Sequence, residues 1–219
     1  VHISSPSVAH SGQALFGCGA EPANPDTARG HYSRSKARAE LAALAADAAD
    51  FAVTVIRPHL VWGPGDTQLI GRIVQRARAG RLALIGPGAA LIDTTFIDNA
   101  VSAIVAALDR CEQAHGQALV VSNGEPRPVA EIITRLCRAA GVAPPKAKVP
   151  YPAAWFAGAV IDAAWAVGGL ASDPPMTRFL AEQLATAHWF DQRTTRDVLR
   201  WSPTVSLDEG FSRLADSYR

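Results

Sequence analysis

The sequence predicts an α/β fold: a parallel sheet whose strands are joined by crossover helices. Three observations lead there. Short runs rich in β-branched residues alternate with longer runs rich in alanine and leucine through the first two thirds of the chain. Glycine and proline fall between these runs more than within them. With 219 residues, 48% hydrophobic and 19% charged, the chain holds enough apolar material for a sizeable core, in one domain or two small ones.

The elements follow in order. Val1-His2-Ile3 reads as a strand already under way before Ser4-Ser5. The first residue is Val rather than Met, so more chain is expected upstream. Residues 32–49 contain neither glycine nor proline and predict a helix, and 52–56 then predict a buried strand. Gly63-Pro64-Gly65-Asp66 predicts a turn, after which Ile70, Ile73, Val74 and Ala77 repeat at helical spacing up to Gly80. Residues 82–85 and 94–97 predict short strands. Asp98 is expected to cap a helix through Leu108 by accepting its first exposed amides. Residues 117–121 predict a strand. Pro128 to Ala140 has the proline-first, glycine-after punctuation of a helix stopping at Gly141. Beyond Pro144-Pro145 the chain turns helical and less regular, Trp201-Ser202-Pro203 breaks it, and Ser206 with Glu209 predicts a capping box on a last helix.

The run from Ala153 to Ala171 approaches the length of a bilayer span, with Asp162 as its single charged residue. Its many alanines and glycines and its central carboxylate favour a buried or substrate-lining helix, with membrane contact as the alternative. Asp162 is then expected to face solvent or to find a donor, because an unpaired buried carboxylate is costly.

Charge excludes some partners. The formal net charge of +1 comes from 21 basic and 20 acidic residues without a long single-sign block, which disfavours nucleic acid. Cys18, Cys111 and Cys137 are odd in number and widely spaced, fitting neither a disulfide framework nor a zinc motif. No metal site is expected, and a reducing cytoplasm is the expected compartment, with membrane association as the alternative. Lysine occurs only at Lys36, Lys146 and Lys148 in a chain that otherwise uses arginine.

Lys36 stands four residues after Tyr32, which puts both side chains on one helix face. A solvated face is the ordinary reading of such a pair, but Ser5, upstream after a strand, completes a chemical set. A phenol has an ordinary pKa of about 10 and exchanges protons poorly near neutrality unless a nearby cation favours its phenolate. Lys36 can supply that cation and can donate to ribose hydroxyls. The Ser5 hydroxyl can hold a carbonyl or alcohol oxygen while Tyr32 exchanges its proton.

These residues resemble the extended short-chain dehydrogenase/reductases, and within them the 3β-hydroxysteroid dehydrogenase-like branch. The resemblance runs through residues 1–8, the Tyr32 to Lys36 motif with Ala39-Glu40, residues 56–66, Phe96-Ile97-Asp98-Asn99, residues 122–126 and residues 201–210. It implies the C-terminal part of a Rossmann-like doubly wound parallel sheet plus a smaller, mostly helical substrate-binding region. Residues 1–66 would belong to the dinucleotide-binding domain and 67–219 to the substrate region, with about 94–121 returning to the sheet. It implies NAD or NADP as cofactor, Tyr32 as general acid/base, Lys36 as the residue that orients the cofactor, and Ser5 rather than Ser4 as third member. Pro58 and His59 would border the nicotinamide. The family's glycine-rich first turn is not in this sequence, nor is the residue that distinguishes NAD from NADP.

Two positions bear on substrate. Nucleotide-sugar epimerases and dehydratases of the superfamily usually carry asparagine where Leu60 stands, and commonly an arginine where Ile92 precedes Asp93. An arginine there would give a diphosphate strong bidentate contacts. The resemblance therefore implies a hydrophobic small-molecule substrate, steroid-like or long-chain acyl, held by Ser5, Leu60, Trp62 and Ile92, and it admits a homodimer. A nucleotide-sugar enzyme and a catalytically silent cofactor-binding protein are the alternatives.

Overall fold

A computed structural model describes residues 1–10, 12–168 and 177–219. Strand β1 (His2–Ile3) leads through a single 3-10 turn (Pro6–Ala9) to β2 (Leu15–Cys18) and helix α1 (Gly30–Leu44). There follow β3 (Val55–Pro58), β4 (Val61–Trp62), α2 (Leu69–Arg78), β5 (Ala83–Ile85), β6 (Leu91–Ile92), β7 (Thr95–Phe96) and α3 (Ile97–Asp109). A short α4 (Cys111–Ala114) precedes β8 (Ala118–Val121), β9 (Arg127–Pro128), α5 (Val129–Ala139) and β10 (Ala147–Val149). The remainder is α6 (Tyr151–Gly168), α7 (Arg178–Ala185), β11 (His188–Phe190), α8 (Arg193–Leu199) and α9 (Leu207–Asp216).

The parallel sheet is present in the order β1-β3-β8, with His2 opposite Val55 and Ile56 opposite Leu119. β3 is central, and its Val55 and Ile56 are fully buried, as a strand covered on both faces requires. β1 pairs on one side only among the described residues, and Val1 and Ile3 along it are exposed. A second sheet, in the order β2-β11-β6-β9, brings together strands from both ends of the chain, and two small pairs, β4-β7 and β5-β10, complete the strands.

Helix α1 is fixed to β3 by a buried ion pair. Its inward positions Ser33, Ala37 and Glu40 are buried, and the Glu40 carboxylate takes both Nε and Nη2 of Arg57, the former at 3.0 Å. The third arm of the same guanidinium donates to the Glu21 carbonyl at 2.7 Å. Three fixed contacts satisfy a planar group that would be costly to bury alone.

The largest core cluster lies on the C-terminal side. Trp62 stacks on Phe211 at a centroid distance of 4.7 Å and meets Phe96 edge-on at 5.4 Å, with Ile70, Leu136, Leu207 and Leu214 packed around them. Gly210 makes this approach feasible, since a Cβ there would come within 2.8 Å of the Phe96 ring. Two buried asparagines then tie the C-terminal segment down. Asn99 accepts from the amides of Thr204 and Val205 and donates to the Val205 carbonyl, and Asn123 donates to that carbonyl while accepting from Phe96 N and Asn99.

Several local expectations change. Asp98 lies in the first turn of α3 without capping it and instead pairs with Arg213 at 2.8 Å. The cap of α2 is Asp66, whose carboxylate accepts from Gln68, Leu69 and Ile70 amides at 2.7, 3.1 and 3.0 Å. Ser206 caps α9 by accepting from Glu209 N at 3.2 Å, while the Glu209 carboxylate turns to Arg213. The helix expected over 32–49 ends earlier, at Leu44. Asp162 finds a donor, the Arg178 amide at 3.0 Å, across the packed pair α6 and α7. Residues 169–171 of the apolar run lie outside the described residues, and among those described no helix is long and apolar enough to cross a membrane.

Candidate active site

The carboxyl ends of β1 and β3 open onto a cavity of about 410 Å³, a volume suited to a small organic ligand. Ser4, Ser5, Tyr32, Pro58, His59 and Leu60 line it, joined by His10 and, from the second sheet, His188 and Phe190. Walls and polar groups thus come from both sheets.

Ser5 is placed by the turn that follows β1. It caps that 3-10 turn in an extended conformation (φ −154°, ψ 145°), and its Oγ accepts from Ser7 N at 3.3 Å and from Ser7 Oγ at 3.0 Å. With its lone pairs so engaged, its own proton is left to donate to a ligand oxygen. Ser4 is 5% exposed, and its Oγ has no hydrogen-bond partner among the described residues.

Tyr32, in the first turn of α1, is 61% exposed at the cavity rim. Lys36, one turn on, does not line the cavity; its ammonium donates to the Ile3 carbonyl at 2.9 Å. That bond pins the lysine between α1 and the end of β1, on the face that carries the phenol.

Pro58 and His59 follow directly from β3. The His59 backbone is bonded on both sides, its amide to the Val121 carbonyl at 3.0 Å and its carbonyl from Thr95 Oγ1 at 2.7 Å. The next residue, Leu60, is held at φ +43°, a left-handed conformation that costs a branched side chain roughly 1–2 kcal/mol. The surrounding bonds enforce it, including Thr95 N to the Leu60 carbonyl at 3.2 Å, and such strain gathers at functional sites.

A residue that sequence reasoning missed stands behind His59. The fully buried Asp93 meets His59 Nδ1 with Oδ1 at 2.6 Å, while its Oδ2 accepts from Ser122 Oγ at 2.8 Å and Phe190 N at 3.0 Å. His188 lies 5.0 Å from the His59 ring, edge-on. Burial above all, then the neighbouring His59 charge, brings the His188 pKa down to about 3, so this ring is neutral at ordinary pH. Burial likewise lowers the pKa of His10, with Glu182 opposing and Arg29 and His59 adding to the fall. The one sequence signal for Asp93 was a carboxylate directly after the apolar pair Leu91-Ile92.

Trp62 and Ile92 are placed elsewhere. Both belong to the main core, at 1% and 5% exposure, and the Trp62 Nε1 donates to Thr94 Oγ1 at 2.9 Å. Neither is among the residues lining the cavity: both side chains pack in the core with residues of α2, α5 and α9.

The comparisons with known proteins agree in kind. A sequence model of the NAD dependent epimerase/dehydratase family matches residues 1–122. A 2-alkyl-3-oxoalkanoate reductase from Stenotrophomonas maltophilia is 40% identical, over 99% of this chain and 67% of its own length. A 3beta-hydroxysteroid-dehydrogenase/decarboxylase, isoform 1, from Arabidopsis thaliana is 30% identical, over 100% of this chain and 52% of its own length. Among solved structures, the UDP-glucuronic acid 4-epimerase from Bacillus cereus in complex with UDP-glucuronic acid and NAD aligns with a TM-score of 0.65 at 22% identity. That alignment covers 99% of this chain and 60% of the epimerase, and it speaks to the fold alone. The chain thus spans from 52% to 67% of the length of these proteins.

Proposed function

The chain belongs to the NAD-dependent epimerase/dehydratase family, and from that premise we propose that it carries the catalytic face of an oxidoreductase acting on 3-hydroxy and 3-oxo acids with apolar skeletons. The observation that carries this reading is one cavity lined by Ser5, Tyr32, Pro58, His59 and Leu60. The relatives' activities, a 3-oxoalkanoate reductase and a hydroxysteroid dehydrogenase/decarboxylase, supply the substrate class. No lysine or arginine lines the cavity among the described residues, which disfavours a nucleotide-sugar diphosphate there.

A nicotinamide cofactor fits the donor set. The exposed Tyr32 and the free proton on Ser5 are polar groups presented to a ligand, the buried Ser4 Oγ beside them has no hydrogen-bond partner among the described residues, and Lys36 stands one turn along the same helix as Tyr32. When bound, the oxidised nicotinamide supplies the acceptor for the hydride that leaves the carbinol carbon. Ser5 donates a hydrogen bond to the substrate oxygen and holds it against the phenol. Tyr32 takes the hydroxyl proton as the C–O bond becomes C=O, and returns it in the reverse direction. Lys36 would hold the ribose. Residues 1–66 then form the cofactor side and 67–219 the substrate side, with β8 paired to β3 in the cofactor-side sheet. The three cysteines are free thiols, which suits a reducing cytoplasm.

The test is cofactor absorbance with the full-length protein and a 2-alkyl-3-hydroxyalkanoic acid. NAD- or NADP-dependent oxidation is the expected result. Turnover of a UDP-sugar, with none of the hydroxy acid, would replace this reading by the epimerase one.

A further inference from the structure

Hydride leaves a carbinol carbon whose oxygen Ser5 and Tyr32 hold, so on the oxidoreductase reading the nicotinamide ring enters the cavity that these two side chains line. The ring itself can lie against Ile3, Leu15, Leu60 or Phe190 without polar help. Its carboxamide cannot, because amide N–H groups brought into a largely apolar cavity are costly unless they meet an acceptor.

One side chain of the cavity wall is an acceptor with both its place and its protonation state fixed. His188 Nδ1 lies 2.9 Å from the Thr186 carbonyl, an oxygen that can only accept, so Nδ1 carries the proton. Burial keeps this ring neutral at ordinary pH. A neutral imidazole with its proton on Nδ1 presents a lone pair, and no proton, at Nε2. That Nε2 makes no hydrogen bond among the described residues, yet it keeps accessible surface on a side chain that lines the cavity.

The ring is also held in place. β11 pairs with β2 on one side and with β6 on the other, and the His188 carbonyl accepts from Asp93 N at 3.4 Å. His59 meets the His188 ring edge-on at 5.0 Å, and Asp93 in turn steadies His59 through Nδ1 at 2.6 Å. A rigid acceptor on a residue only 4% exposed is poorly served by water and loses little freedom when a donor arrives. The other lining groups are less suited: Ser5 and Tyr32 serve the reacting oxygen, Ser4 Oγ is sealed off, and Gln183 carries its amide on a long, rotatable stem.

We infer that His188 binds the cofactor, accepting at Nε2 a hydrogen bond from the carboxamide N–H of the nicotinamide. This rests on the oxidoreductase reading above and adds to it a cofactor-binding residue from residues 67–219, the side assigned to substrate. The second sheet, through β11, would then orient the ring whose hydride the first sheet's Ser5 and the Tyr32 of α1 put to use.

The experiment measures binding, without substrate and with the full-length protein. Calorimetry gives the Kd of NAD or NADP and of the matching 3-acetylpyridine analogue, in which an acetyl group replaces the carboxamide and removes its N–H donors. Wild type should bind the natural cofactor roughly 10-fold more tightly than the analogue, and His188→Phe should bind the two alike, with the loss confined to the natural cofactor. A merely structural histidine would weaken both nucleotides together and leave the ratio unchanged, which overturns the inference. A wild-type ratio near one also overturns it, and both results leave the oxidoreductase reading standing; binding of neither nucleotide removes both. Should His188→Phe fail to fold, nitrogen NMR of histidine-labelled wild type decides. An upfield move of the unprotonated ring nitrogen of a neutral histidine with the natural cofactor, absent with the analogue, supports the inference, and no difference between the two overturns it.

Discussion

The cavity side and the C-terminal core of this molecule use the same kinds of residues to opposite ends. Around Trp62, Phe96 and Phe211 the rings close on one another, and the two buried asparagines use their amide groups on the backbone they secure. Around Ser5 and Tyr32 the polar groups are only half engaged. Ser5 accepts two hydrogen bonds and keeps a proton, and Tyr32 stands 61% exposed. The closed region spends its polar groups on stability, whereas the open one withholds them for a ligand. Substitutions should therefore separate cleanly, with stability lost in the first region and turnover in the second.

The sharpest break of the closed region is Asn99→Leu. The side chain is similar in size but leaves the buried Val205 amide and the part-buried Thr204 amide without their acceptor. A loss of about 3–5 kcal/mol is expected, at roughly 1–3 kcal/mol for each orphaned group. Urea denaturation of the full-length protein would register it as a lower midpoint.

A smaller effect comes from the border between the regions. His188 carries a folded-state pKa of about 3 against an ordinary value near 6.5. Between those values the unfolded chain takes up a proton that the folded chain refuses. Its contribution is therefore complete above about pH 6.5 and declines as pH falls toward 3, by at most about 1.4 kcal/mol per pH unit. Thermal melting of wild type and His188→Phe between pH 7 and pH 5 should show a shallower acid decline in the variant. Parallel declines would mean that His188 is protonated in the folded state.

How far the sequence disclosed this division depended on distance along the chain. Helices α1, α2, α5 and α9 and strand β3 were visible because spacing, glycine and proline are local signals. The second sheet was not. β2 and β11 are only four and three residues long and pair across most of the chain, which no local pattern records. The candidate site divided in the same way. Ser5, Tyr32, Pro58, His59 and Leu60 were named from motifs and share one cavity, whereas His10 and His188 reach it through long-range packing. Apolar character marked Trp62 and Ile92 as buried without telling which side of their strands faced the cavity. Asp93 was hidden because its partners, His59, Ser122 and Phe190, lie about thirty to about one hundred residues away.

The central claim is that the open side withholds its polar groups for chemistry, and Tyr32→Phe tests it most directly. The change removes a single hydroxyl from an exposed ring, so the denaturation midpoint of the full-length protein should move by no more than the equivalent of about 0.5 kcal/mol. In the same preparation, NAD(P)-dependent oxidation of a 2-alkyl-3-hydroxyalkanoic acid should fall by roughly 100-fold or more, the range of a lost general acid/base. Unchanged stability with that loss of rate is the predicted result. A loss of less than tenfold in rate would contradict the account, since the proton would then be passing through some other group.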